Sequence, residues 1–183
     1  MSDAQPHAIM PALTTERLEL CPFEPADLDE LHELFAEPDV RRYLLHDEIM
    51  PLEWVEDEIA KSEARFADNG CGLWALRELG GGNVVGFVGF SPFFDPPELQ
   101  LQYGFLPSHW GRGLATEAAS AAIGYAFESL GFEDVRAATN VPNVASIAVL
   151  ERLGMEEWER TDGGEAGTVF FRVAAEEWLA SGI

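Results

Sequence analysis

Lysine is almost missing from this chain: Lys61 stands alone beside ten arginines, against 33 acidic residues, and the formal net charge is −22. A surface of that sign repels a polyanion, which excludes nucleic acid as a partner of the bare surface. It draws cations instead, so the acidity fits either attraction of a cationic amine or a general solubility or salt-adaptation bias. Cysteine is equally scarce. Cys21 and Cys71 make no disulfide framework, and the four histidines are not spaced with them like a metal site, so no metal is expected. No run of eighteen apolar residues exists, and residues 1–11 lack a basic region followed by an apolar one. Neither a membrane span nor a signal peptide is supported, and the expected location is cytoplasmic. Gly-Lys-Ser and Gly-Lys-Thr are absent as well, which excludes a P-loop nucleotide site.

What is present suits one domain with a sizeable core: 183 residues, 47% hydrophobic and 11% aromatic. Residues 1–12 read as a flexible leader and 13–183 as the single domain. The most informative stretch is 98–116, ELQLQYGFLPSHWGRGLAT. Leu99, Leu101 and Tyr103 alternate with Gln100 and Gln102, the period of a strand; Pro107 ends it, and Gly111, Arg112 and Gly113 open a helix to about Leu130. First-turn N–H groups have no partner inside a helix, and glycine lets a ligand approach the backbone, so a phosphate or pyrophosphate fits there. Ordinary turn glycines before a helix are the plainer reading of the same residues.

Around that stretch, Leu18 and Leu20 suggest a first strand ending at Pro22. Leu28, Leu31, Leu34 and Phe35 predict a short amphipathic helix stopped at Glu37-Pro38. Residues 40–50 carry no clear period; His46, Arg41, Arg42 and Tyr43 lie there, as a solvated loop or as substrate contacts. Pro51 starts a second helix with Trp54, Val55, Ile59 and Phe66. Residues 72–78 and 83–90 read as a hairpin, after which Pro92, Pro96 and Pro97 break the chain. Residues 134–140 give the next strand and 143–153 a short helix ended by Gly154. Residues 155–161 and 168–173 give a last hairpin around Asp162-Gly163-Gly164, followed by a helical turn at 176–179. Strands and helices in this order predict an α/β layered fold with a mixed sheet and helices on both faces. Trp158 and Trp178 are aromatics for either a homodimer face or the core.

Trp110-Gly-Arg-Gly-Leu-Ala-Thr-Glu-Ala, then Asn143-Val-Ala-Ser146, then Leu153-Gly154-Met155, with a Thr-Glu-Arg-Leu opening at 15–18, resembles the GNAT superfamily of acetyl-coenzyme A dependent N-acetyltransferases. Within it the likeness is to the ribosomal-protein N-terminal (alanine) acetyltransferase branch. The resemblance implies a central mixed, mostly antiparallel twisted sheet of about seven strands flanked by about four helices. It also implies an acyltransferase using acetyl-CoA as co-substrate. It places the pyrophosphate on the backbone N–H groups of Arg112, Gly113, Leu114 and Ala115, with Trp110, Gly111 and Thr116 beside them, and the pantetheine arm along Gly104, Phe105 and Leu106. Asn143 maps to a cofactor-contacting asparagine, and is equally suited to be a helix N-cap. The helices after the first strand would form one wall of the acceptor site.

Acetyl transfer to an amine needs a held cofactor, a stabilised oxyanion and two managed protons. The expected oxyanion donor is the Phe105 N–H. The tyrosine that often serves the leaving thiolate in this superfamily is replaced by Leu150, and Ser146, one turn earlier, is the expected hydrogen-bond donor to the sulfur. Glu98 is the candidate base, on one strand face with Gln100 and Gln102; a solvated strand-start carboxylate is the alternative. His109, Glu117 and Tyr103 are second-rank candidates. An α-amine, with a pKa of roughly 7.7 to 8.0, needs little help from any base. The cysteines lie outside this stretch, which argues for direct attack in a ternary complex without an acyl-enzyme. The amine acceptor, a protein N-terminus or a small molecule, is open at this point, and a non-catalytic acyl-CoA-binding module on the same fold is the rival.

Overall fold

The computed structural model describes residues 10–45, 47–94, 96–163 and 167–182. Their elements run β1 (Leu13–Thr14), β2 (Leu18–Pro22), α1 (Leu28–Ala36), α2 (Pro38–Leu44), α3 (Leu52–Asn69), β3 (Leu73–Glu78), β4 (Gly86–Phe93) and β5 (Glu98–Phe105). They continue as α4 (Leu114–Glu128), β6 (Asp134–Asn140), α5 (Val144–Arg152), β7 (Glu156–Arg160), β8 (Thr168–Ala174) and α6 (Ala175–Ser181). His46 and Gly164 lie outside the described residues.

The α/β fold is as expected, with one feature that matters for the site. In place of a single sheet there are two, an antiparallel β1-β2-β3-β4-β5 and an antiparallel β6-β8-β7. β5 and β6 lie side by side and run the same way, since Glu98 at the start of one meets Arg136 near the start of the other. No ladder joins them among the described residues, so the facing edge of β5 is open.

Each face of the five-stranded sheet has its own core. On one, α4 lays down Leu114, Ala118, Ala119, Ala122, Ile123 and Ala126, all buried, and their small side chains bring the helix close to Trp74, Leu101 and Phe105. On the other, Phe23, Leu31, Leu34, Phe35, Val55 and Ile59 from α1, α3 and their approach pack on Leu73, Ala75 and Phe87. The alternation of β5 divides its side chains between these faces.

Two prolines behave differently from expectation. Pro38 begins α2 rather than merely ending α1: proline suits the first helical position, where no N–H is needed, and so residues 38–44 are helical. Pro92 does not break the chain, and β4 runs on to Phe93 with Pro92 opposite Leu99. β3 has ended by then, at Leu73 opposite Gly89, so the missing proline N–H faces no strand. Trp178 is core and Trp158 is exposed. No helix among the described residues is long and apolar enough to cross a membrane.

Candidate functional site

The turn after β5 leaves backbone donors without partners. Gly111 (φ 71°) and Gly113 (φ 78°) take the left-handed conformation, which an L-residue adopts only with strain. Gly113 is the N-cap of α4, and no side chain caps the helix. The first backbone bond of the helix runs from Glu117 N–H to Gly113 O, so the N–H groups of Leu114, Ala115 and Thr116 point forward with no partner among the described residues. A Cβ on Gly111 would meet nothing within 4 Å, and Thr116 Oγ1 is buried without a partner among the described residues. Free donors, a helix N-terminus, an orphaned hydroxyl and open space above Gly111 fit a pyrophosphate.

Arg112 contributes backbone there, while its guanidinium pairs with Glu78. The arginine that braces the turn is Arg17. Its Nη1 donates to Arg112 O (2.8 Å) and its Nε to Glu117 Oε2 (2.6 Å), while Thr15 Oγ1 donates to Glu117 Oε1 (2.6 Å). This explains why the Thr-Glu-Arg opening at 15–17 belongs with the turn a hundred residues on. Burial pushes the Glu117 carboxyl up, but the bonds from Thr15 and Arg17 outweigh it and hold the group below its usual range. A depressed carboxylate stabilises the fold above its unfolded pKa, about 4.3, and that contribution is lost as pH falls through the lower folded value. Glu117→Gln is therefore expected to lower the melting temperature at pH 7 by a few degrees. It should also flatten the fall in stability below about pH 4, as read by thermal melts across pH.

Along β5 the polar backbone groups divide by direction. Leu106 N–H is bonded to Val85 O (2.9 Å), and in an antiparallel ladder the bonded residues alternate. Leu106 and Gly104 therefore face β4, while the N–H groups of Phe105 and Tyr103 face the open edge toward β6. The Phe105 carbonyl, on the same side, takes the Trp110 indole N–H at 2.7 Å, which ties the turn to the strand end. Of the three residues expected to line the arm, Phe105 alone offers its N–H. Gly104 has another use: a Cβ there would lie 2.7 Å from the Phe87 ring, so the glycine makes room for it.

Asn143 caps α5, its Oδ1 accepting the Ser146 N–H at 3.3 Å. Ser146 Oγ lies 2.8 Å from the Tyr103 hydroxyl, which also stands 3.2 Å from Ser146 O. Tyr103 thus reaches across the gap between β5 and α5. Burial pushes its phenol up, only partly offset by the Ser146 bond, and it stays protonated at neutral pH. Its contact with a residue 43 positions away leaves no local signal in the sequence. Leu150 is buried in the core.

Glu98 does not join this group. It is ion-paired with Arg136 (3.1 Å) beside a cavity of about 280 Å³ between the starts of β5 and β6. At about 3.3 Å per residue it lies roughly 23 Å along the strand from Phe105. One amine cannot touch Glu98 and the Phe105 N–H together. A second cavity, about 210 Å³, lies on the opposite face of β5 from α4, between α1–α3 and the strands, and Gln102 and Ser91 are among its walls. His109 bonds Ser108 in the turn (2.9 Å).

The family model described as "Acetyltransferase (GNAT) domain" matches residues 17–156. The uncharacterized protein YkkB of Bacillus subtilis is 33% identical over 148 residues, covering 78% of this chain and 84% of its own length. The FsC-acetyl coenzyme A-N(2)-transacetylase of Aspergillus fumigatus is 29% identical over 190 residues, 92% of this chain and 78% of that protein. Among solved structures, a RimL ribosomal L7/L12 α-N-protein acetyltransferase in complex with coenzyme A superposes with a TM-score of 0.74, covering 91% of this chain and 98% of that one. Its identity of 15% makes this a likeness of fold.

Proposed function

The chain belongs to the GNAT acetyltransferase family, and we propose that it transfers the acetyl group of acetyl-CoA to a primary amine by direct attack within a ternary complex. The observation that carries this reading is the set of unpaired donors at the α4 N-terminus, continuous with the open edge of β5. The A. fumigatus relative, whose name joins acetyl-CoA to an N(2) acceptor, supports the same donor and a nitrogen nucleophile.

Acetyl-CoA supplies an acyl group activated as a thioester. The chain's own residues do the rest. Leu114, Ala115 and Thr116 N–H bind phosphate oxygens, helped by Gly111, Arg112 and Gly113, and Trp110 and Asn143 border the path. The Phe105 N–H donates to the carbonyl oxygen as charge gathers on it. Ser146 Oγ donates toward the leaving sulfur and is held in place by Tyr103. Glu98, bound to Arg136 and distant from Phe105, reaches the amine only through water, so an acceptor that enters uncharged needs no other base.

Neither cysteine is poised as a nucleophile: burial raises the thiol of Cys71 and, outweighing the attraction of Arg77, that of Cys21. The Cys21→Ala, Cys71→Ala double variant is expected to keep its rate of acyl transfer, measured as free thiol release from acetyl-CoA with an amine present. Release that depends on the amine tests the whole reading. Tight binding of acetyl-CoA with no release across a broad amine panel would make the chain a binding module.

A further inference from the structure

The cavity of about 210 Å³ beside β5 has a composition that selects among amines. Phe35 and Trp54 meet edge to face with ring centres 5.4 Å apart, and Phe35 lies 5.3 Å from Phe87, so three aromatic rings close one side with Leu44 beside them. A water's share of liquid volume is about 30 Å³, and the space therefore suits a body the size of one large apolar side chain. Glu58 is the one charged side chain in this lining among the described residues. Its Oε1 is held by Lys61 at 3.0 Å, its Oε2 has no partner among the described residues, and the side chain is 16% exposed. Ser91 and Gln102 complete the polar part.

Gln100 lies behind this lining rather than in it. It is 4% exposed, stands opposite Ser91 in the ladder and two residues from Gln102 on the same strand face, and its Oε1 is buried with no partner among the described residues. The rim carries a further unexplained feature. Phe93 lines the cavity and packs at 4.9 Å on Phe94, which is 40% exposed and holds φ 70°, a strained conformation for an aromatic residue.

We propose that this cavity is the acceptor subsite and takes a primary monoamine with an aromatic or branched apolar body and no carboxylate. This rests on the acetyltransferase reading and deepens it. The ammonium is met by Glu58 and Gln102, its proton passes to the Glu58 carboxylate so that the free amine attacks, and the body is met by the rings of Phe35, Trp54 and Phe87. A free amino acid is disfavoured because its carboxylate would find no basic side chain in the lining among the described residues and would meet the Glu58 carboxylate. A polyamine would bring charges that one carboxylate cannot match, and an aminoglycoside exceeds the space.

Two measurements test this. In thiol-release assays with acetyl-CoA, 2-phenylethylamine and isopentylamine are expected to exceed phenylalanine, spermidine and kanamycin in kcat/KM by about tenfold or more. Preference for any of the last three, or for a serine- or alanine-initiated peptide, overturns the inference while leaving acetyl transfer standing. In calorimetry with the protein and 2-phenylethylamine, Glu58→Gln is expected to weaken binding about tenfold and to leave binding of uncharged 2-phenylethanol unchanged. Absence of amine binding, or binding indifferent to that substitution, overturns it. If no amine releases thiol, the acetyltransferase reading falls, and calorimetry still decides whether the cavity takes this amine.

Discussion

Gly113→Ala is expected to cost about 30-fold or more in affinity for coenzyme A while leaving the protein folded. The residue sits at φ 78° and its new Cβ would come no nearer than 3.6 Å to Arg17 Nη2, so nothing clashes. The penalty is conformational: an L-residue in the left-handed region costs about 1–2 kcal/mol. The turn escapes that cost by rotating, and rotation swings the N–H groups of Leu114 and Ala115 off the phosphate. Each hydrogen bond to a charged group contributes about 1.5–3 kcal/mol, and losing one or two sets the expected factor. Stability should fall by no more than the strain, a few degrees in melting temperature. Gly124, within α4, is the control. Its Cβ would meet nothing within 4 Å, so Gly124→Ala should stabilise by about 0.5–1 kcal/mol and leave affinity alone. Titration calorimetry with coenzyme A reads both variants. If Gly113→Ala binds like the parent, the helix N-terminus is not the phosphate site.

The contrast between this turn and the rest of the site shows what a sequence carries. The strand-turn-helix at 98–116 was legible because period-two alternation, a proline stop and two glycines are local signals, and each maps directly onto β5, the 111–113 turn and α4. Helix α3 was legible for the same reason, from Pro51 and a helical apolar period. α2 was not, because Pro38 ends one helix and begins the next with the same residue. The end of β4 was hidden because Pro92 is a breaker only where its N–H is needed, and that depends on where β3 stops. The functional partners that escaped notice all act over long separations: Arg17 on Glu117 and Arg112, Tyr103 on Ser146, Arg136 on Glu98. Nothing in a local pattern distinguishes such a residue from any other surface arginine or strand tyrosine. The ion pair of Glu98 is the most consequential of these, since it occupies the carboxylate that spacing alone had offered as a base.

Ser146→Ala and Tyr103→Phe are expected to fall on kcat, with the KM for acetyl-CoA nearly unchanged. A hydroxyl that donates to a leaving thiolate acts mainly when charge develops, and losing such a donor costs about 10²-fold in kcat. Tyr103 works through Ser146. Its hydroxyl has one hydrogen and two neighbours on that residue, Oγ at 2.8 Å and the carbonyl at 3.2 Å. When the phenol donates to Oγ, the serine hydrogen is released toward the sulfur; when it donates to the carbonyl, Oγ donates back to the phenol and is unavailable. The raised phenol stays protonated through neutral pH, so the first arrangement is open throughout the working range. Tyr103→Phe keeps the ring and removes this control, and about a tenfold loss in kcat is expected. The double variant should be no slower than Ser146→Ala alone, because the tyrosine has no route to the sulfur once the serine is gone. Multiplying losses would mean that the two residues act separately and that Tyr103 does not work through Ser146. Ser146→Thr, which restores a hydroxyl at the same position, should recover part of the rate, a recovery that a purely structural role would not produce.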